Sequence, residues 1–599
     1  MAEVRDRTDI DEEYTWSIES IYEDDEAWEA DFEAIKELID EVAAYEGRLD
    51  ESGEVLLEAL ESAERLQRTL ETVASYARMR WDEDTRREHY QAQTARAKSL
   101  SAEVSSTLSF FEPEIQALDP ETLETWIETV DGLELYEHHL DDIHRLRDHT
   151  RSAEVEELLA DLSDVLGAPS DIYSMFHNAD LTFPTVEDTD GEPVEVTVSN
   201  FTTLLRRPDR AFRERVYGAY YDTWEDYRNT VATAYRHVTE RERQLAAARD
   251  FDSALEKSLA GPNVPVEVYD RLVDTVNDNL DALHRHVDLK RSVLGVDELQ
   301  MWDLYVPMAH SDDPELPYET ATKHVTDALG LLGDDYQSRV AEGVESRWID
   351  VYENRGKRGG AYSGGTYDTQ PFILMNYQDD ITSMYTLAHE LGHSLHSEYT
   401  REEQPYVYAS YSIFIAEVAS TVNEVLLTHH LLETVDDPAF TQHVLDQALE
   451  RYRSVLYRQT MFAEFERTAH ELAAAGEAIT ADRLDEVYGS IKSRYYEPAV
   501  VDDRIVREWM RIPHFYRPFY VFQYSTGISA AVAIAADIIE RGEPAAEQYR
   551  DFLSLGSSRY PIELLQAGGV DMTTSAPIEA AIDVYRDRLD EYERTIDGV

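Results

Sequence analysis

The chain has 599 residues, 43% of them hydrophobic, enough for more than one folding unit around a large apolar interior. Its 54 Lys and Arg face 123 Asp and Glu, a net charge of -69, which excludes partners that are themselves polyanionic, such as nucleic acid and anionic membrane surfaces. There is no cysteine, so disulfides, thiol catalysis and zinc–thiolate sites are excluded, and any zinc must be held by His, Asp or Glu.

The acid is spread over every region instead of gathering in a tail, and arginine carries almost all of the positive charge. That balance resembles the proteins of halophilic organisms that accumulate salt internally, where screening damps self-repulsion and surface carboxylates hold hydrated cations. The opening stretch MAEVRDRTDIDEEYTW lacks the apolar segment of a secretory signal. The longest apolar run, Ile528 to Ile539, is too short to span a bilayer and contains Asp537, so it reads as a buried core helix. The expectation is a soluble, cytoplasmic protein with no membrane partner.

In chain order, the first ~180 residues read as consecutive amphipathic helices. Trp28, Phe32, Ile35, Leu38 and Ile39 stand at helical spacing, as do Leu57, Leu60, Leu66 and Leu70. Alternating Val194, Val196 and Val198 after Asp190-Gly191 predict a β-hairpin. The Asp188-x-Asp190-Gly191 fragment lacks the later ligands of a calcium loop and reads as a turn. Helical patterning resumes to about Leu294. Five glycines between Arg355 and Gly365 then precede a short apolar run, Phe372 to Met375, predicting a glycine-rich loop and a strand. The rest is helical except around RIPHFYRPFYVFQY.

The chemistry concentrates in TLAHELGHSLHSEY, Thr386 to Tyr399, on a helix expected near 382–398. Residues i and i+4 share a helix face, so His389 and His393 can both address one cation. Glu390, ~100° round the helix from His389, cannot comfortably join them but can reach a water beside the metal. This is the H-E-x-x-H pattern of zinc peptidases. A catalytic zinc needs a third protein ligand, and one straight helix cannot supply it from His396, ~10.5 Å along the axis from His389. His396 is therefore read as a packing residue or one that supports a ligand. A second helix near 412–432 carries Glu417 among Ile413, Ile415, Val418 and Val422, where a lone carboxylate is costly unless paired or bound to a cation. Glu417 is thus the expected third ligand. Glu424, on the same face, is placed to hold the second nitrogen of a ligating histidine.

His389-Glu390-x-x-His393 followed by Glu417 in AEVASTVNE resembles the thimet-oligopeptidase group of zinc peptidases, and in particular its oligoendopeptidase F branch. WSIESIYEDDEAW, NADLTFPTVEDTDGEPVEVT, GKRGGAYSGGTYDTQPFILMNY, RIPHFYRPFYVFQYSTG and FLSLGSSRYPIELLQAGGVDM extend the resemblance in order over nearly the full length. It implies a mainly α, two-lobed zincin with a deep substrate channel and a small β-sheet beside the HExxH helix. In linear order this gives an N-terminal helical region at 1–190 and a catalytic region at 191–599.

Carried over, the resemblance implies one zinc on His389, His393 and Glu417, with Glu390 as general base in the hydrolysis of short peptides. It also implies that His514, Tyr520 and Tyr524 act on the intermediate, with Tyr516 contacting substrate; Phe519 and Phe522 occupy positions where relatives carry tyrosine. Gly359, Gly360, Gly364 and Gly365 resemble a substrate-facing segment, where backbone can approach backbone and a peptide can add as an extra strand. An exopeptidase such as a dipeptidyl carboxypeptidase on the same scaffold, or a catalytically silent acidic peptide-binding protein, remains open at this point.

Overall fold

The computed structural model describes residues 4–309 and 314–597. The chain divides into two compact units, each assembled from separate segments: Met1–Arg147 with Asp313–Glu433 and Ile534–Gly569, and Asp148–Asp312 with Thr434–Ala533 and Val570–Val599. The units are interleaved along the chain, so a single cut at residue 190 describes chain order and not compactness. Helical periodicity is local and does not register which core a helix joins.

The first unit begins with three long helices, α1 (Asp25–Ala43), α2 (Gly53–Asp82) and α3 (Glu88–Leu108). The Asp24 carboxylate accepts from the Glu26 and Ala27 amides to start α1, and Ser52 accepts from Val55 to start α2. α1 buries Trp28, Phe32, Ile35, Ile39 and Val42, one apolar stripe with alternating steps of four and three residues. Leu38, Leu57 and Leu70 are only partly buried at the margin of the same core.

That core extends to Phe372 and Leu374, and so ties the helices to a three-stranded sheet. The strands are β1 (Ile349–Tyr352), β2 (Tyr362–Gly364) and β3 (Phe372–Tyr377), in the order β1-β3-β2. β3 is central, parallel to β1 and antiparallel to β2, with Ser363 opposite Ile373. Its run Phe372 to Met375 is wholly buried, which is why it reads as continuously apolar. β2 is an edge strand.

Two helices follow. α4 (Ile381–Glu403) opens on Asp380, whose side chain accepts from the Ser383 amide. α5 (Ile413–Thr434) carries the candidate third ligand. α4 runs beyond its expected bounds at both ends, whereas α5 starts one residue later and ends two residues later than expected.

The second unit is also mainly helical. Its hairpin is shorter than expected: Val186–Glu187 pairs with Pro193–Val194, leaving Val196 and Val198 outside the strands. The Asp188 carboxylate accepts from the Asp190 and Glu192 amides, and Gly191 takes a φ of +80°. The turn thus uses the carboxylate that a calcium loop would need. Ile505–Arg511 and Pro513–Tyr516 form short turns before the helix Phe522–Arg541. Among the described residues this is the one helix long and apolar enough to cross a membrane, and 67% of that stretch is buried.

Candidate metal centre

His389 and His393 stand on consecutive turns of α4 with their Nε2 atoms 3.2 Å apart. Glu417 on α5 brings Oε2 to 3.6 Å from His389 Nε2 and 4.0 Å from His393 Nε2. A tetrahedral metal with bonds of ~2.0–2.2 Å spaces its donors ~3.3–3.6 Å apart, so these three atoms fit around one zinc-sized ion. Among the described residues no other group of three His, Asp or Glu converges in this way. Burial pushes the His393 pKa down to about 3, with His389 adding to the effect, which keeps an imidazole lone pair free for a metal.

The close crossing of α4 and α5 makes this convergence possible. A Cβ at Gly392 would lie 2.6 Å from Ser420 Cα and 2.8 Å from the Ala419 carbonyl, so only glycine lets the helices meet there. Asn423 locks the crossing, donating to the Ala388 carbonyl and accepting from Tyr336. Glu424, 3% exposed, places Oε1 2.6 Å from His389 Nδ1.

Glu390 is buried one residue on from His389. Burial raises its pKa to about 7; His389 opposes the shift and Glu417 adds to it, while a hydrogen bond from the Ser363 backbone lowers it. β2 is held beside α4 by the Ser363 Oγ–Ser394 Oγ contact at 2.9 Å. Gly364 and Gly365 line the same pocket, of about 590 Å³, as His389, Glu390, His393 and Glu417. Gly359 and Gly360 do not line it; they sit in the turn before β2, where Asn376 donates to the Gly360 carbonyl and Gly360 takes a φ of +87°. His396 is buried flat against Tyr411, ring centroids 3.7 Å apart, away from the three donors.

His514, Tyr520 and Tyr524 belong to the second unit and cluster there. Tyr524 Oη lies 3.5 Å from both His514 Nε2 and Tyr520 Oη. Burial lowers the His514 pKa, and Arg517 lowers it further. Tyr516 is engaged in packing: its ring stacks on Tyr173 at 3.9 Å and its hydroxyl faces the Val231 carbonyl. Sequence reading missed Gly392, Ser363 and Ser394. The glycine inside HELGH was the available signal for a helix crossing, whereas nothing local marks the serine pair.

A mainly helical fold that sets an HExxH helix and an edge strand around three converging donors defines a metallopeptidase of the zincin class. The chain belongs to peptidase family M3: the family's model matches residues 203–584, and that of the oligopeptidase F N-terminal region matches 114–183. It is 42% identical to oligopeptidase PepF of Bacillus subtilis over 592 residues, covering 99% of this chain and 88% of that one. A crystal structure of oligoendopeptidase-F from Enterococcus faecium superposes with a TM-score of 0.75 at 36% identity, covering 96% of this chain and 100% of that one. The crystal structure of a putative peptidase from Chlamydophila abortus gives a TM-score of 0.92 at 30% identity, covering 99% of this chain and 100% of that one. The chain is accordingly a metalloendopeptidase, and a silent peptide-binding role is set aside.

Proposed function

We propose that the protein is a zinc-dependent endopeptidase of short peptides, with one zinc per chain on His389 Nε2, His393 Nε2 and Glu417 and with Glu390 as general base. The observation that carries this reading is the convergence of three donor atoms, 3.2, 3.6 and 4.0 Å apart, beside a buried carboxylate. Zinc bound there supplies Lewis acidity, bringing the pKa of a water toward ~7 and polarising the scissile carbonyl. Glu390 takes the proton of the attacking water and delivers it to the leaving nitrogen. Glu424 holds His389 in the tautomer that presents Nε2. The β2 edge, through Gly364 and Gly365, offers main-chain groups to an extended peptide. His514, Tyr520 and Tyr524 are proposed as donors to the developing oxyanion, on the strength of the family resemblance and their mutual clustering.

The distributed acid and the scarcity of lysine support a salt-adapted protein whose surface carboxylates hold hydrated cations. The burial of the helix Phe522–Arg541 supports a soluble protein, and a cytoplasmic setting is proposed with it. Metal analysis of the purified protein, combined with cleavage of an internally quenched peptide, tests the central reading. About one zinc per chain and activity abolished by chelation are expected; full activity without metal overturns it.

A further inference from the structure

Ser397 and Arg401 continue the i, i+4 row that begins with His389 and His393, and Arg401 lies ~12 Å along the axis from His393. Both residues line the metal pocket. They also line a second cavity of about 670 Å³, which shares Gly365, Ser397, Arg401 and Tyr411 with the first. Arg401 therefore stands where the two spaces join.

Its guanidinium is short of partners. Nη2 donates to the Gly365 carbonyl at 3.3 Å, but Nη1 is buried without a hydrogen-bond partner. Among the described residues no carboxylate lies within ion-pair distance of it; Glu71 and Glu398 act on it only from farther away. Burial lowers its pKa from the usual arginine value, as expected of a cation held without a counterion. In a chain with 123 acidic residues, such a site beside the metal pocket calls for a ligand. A second guanidinium flanks the same backbone: Arg78 lines the metal pocket, lies over the Tyr362 ring at 5.5 Å and, among the described residues, makes no ion pair. A Cβ on Gly364 would be 3.6 Å from Arg78 Nη2, and one on Gly365 would be 3.3 Å from Arg401 Nη1. The two arginines thus bracket the end of the edge strand.

We propose that Arg401, assisted by Arg78 across Gly364–Gly365, binds a carboxylate of the peptide substrate, either its free C-terminus or an Asp or Glu side chain. The inference rests on the peptidase reading above and adds a charge preference to it. A guanidinium presents paired N–H donors that match a planar carboxylate, and in a partly dry site such charge-assisted bonds are the strong ones. The surrounding acidic protein repels anionic peptides everywhere else, so the selectivity is local to this site.

The test uses the full zinc-loaded chain at one fixed salt concentration and internally quenched peptides of equal length. One carries a free C-terminus and no acidic side chain, one is its C-terminal amide, and a third set is amidated with Glu in place of Gln at successive positions. The wild type is expected to favour one carboxylate-bearing class over the neutral amide by at least ~10-fold in kcat/KM. Which class it favours identifies the source of the carboxylate. Arg401→Ala is expected to bring that ratio close to one. Arg401→Glu is expected to shift preference to a Lys-bearing peptide, whose cleavage also reports that the variant is folded. Arg78→Ala, at an exposed position, is expected to lower the ratio by a smaller factor, ~3-fold. The proposal is overturned if the wild type is indifferent to carboxylates, or if Arg401→Ala and Arg78→Ala each lower kcat/KM equally for every peptide. A zinc-loaded wild type that cleaves none of the peptides overturns the peptidase reading itself.

Discussion

His389 Nδ1 and Glu424 Oε1 lie 2.6 Å apart, across the interface between α4 and α5. His389 Nε2 is the nitrogen turned toward His393 and Glu417, so a hydrogen on Nδ1 would donate to the Glu424 carboxylate and leave Nε2 for the metal. Glu424 sits seven residues after Glu417, so one face of one helix supplies both a candidate ligand and the group that orients another.

Glu424→Ala is accordingly expected to lower zinc affinity by ~10–100-fold while leaving all three donors in place. Competition with a chelator of known affinity measures this. An unchanged affinity means that His389 is oriented by something else.

Gly392→Ala tests the helix crossing. The added methyl meets Ser420 Cα at 2.6 Å and the Ala419 carbonyl at 2.8 Å, both backbone atoms that cannot swing aside. Overpacking of this kind costs ~1–3 kcal/mol and here also separates Glu417 from the histidines. Denaturant unfolding of the metal-free protein and zinc titration should both show a loss. Retention of both would mean that the helices re-pack without moving the donors.

Glu417→Ala and His396→Ala separate a ligand from a packed ring. The first removes one of three converging donors and should strip most of the zinc from the purified protein. The second removes a ring stacked on Tyr411 and should cost stability, with metal content nearly unchanged. Zinc lost from His396→Ala and kept by Glu417→Ala would reverse the assignment.

Local patterning made the helices, the central strand and the three donors legible. His389, His393 and Glu417 were recognisable because helix geometry fixes i, i+4 neighbours and because a carboxylate among apolar residues needs a partner. What stayed hidden depends on tertiary neighbours. Tyr516 has the same local pattern as Tyr520, yet Tyr173 claims its ring. Gly359 and Gly360 lie in the same run as Gly364 and Gly365, but only the latter pair follows β2 onto the pocket wall. The interleaving of the two units escaped because periodicity names a buried face without naming what buries it.

The surface charge gives a prediction independent of the site. With a net charge of -69 the folded state repels itself, and lowering ionic strength from 1 M to 0.01 M extends the Debye length from ~3 to ~30 Å, coupling charges across a whole face. Thermal stability and activity should fall on dialysis to low salt and recover in molar potassium or sodium chloride. A melting temperature that does not move with salt would refute salt adaptation.

Glu390→Gln divides chemistry from structure more sharply than any other change. The side chain is buried beside the metal pocket, 7% exposed, and receives a hydrogen bond from the Ser363 backbone. Glutamine keeps the size and an oxygen able to accept that bond, and it removes the burial cost of an ionised carboxylate at pH 8, so the fold should be at least as stable. Zinc content and peptide affinity should also persist, since Glu390 is not among the three converging donors. The amide cannot accept a proton near neutral pH, and turnover should therefore fall by at least ~10²-fold, the lower end of what general-base catalysis contributes. Single-turnover kinetics on the zinc-loaded variant give the number. Retained turnover would refute the general-base role even with zinc confirmed. Loss of zinc would instead make Glu390 part of the metal's support and leave proton transfer to another group.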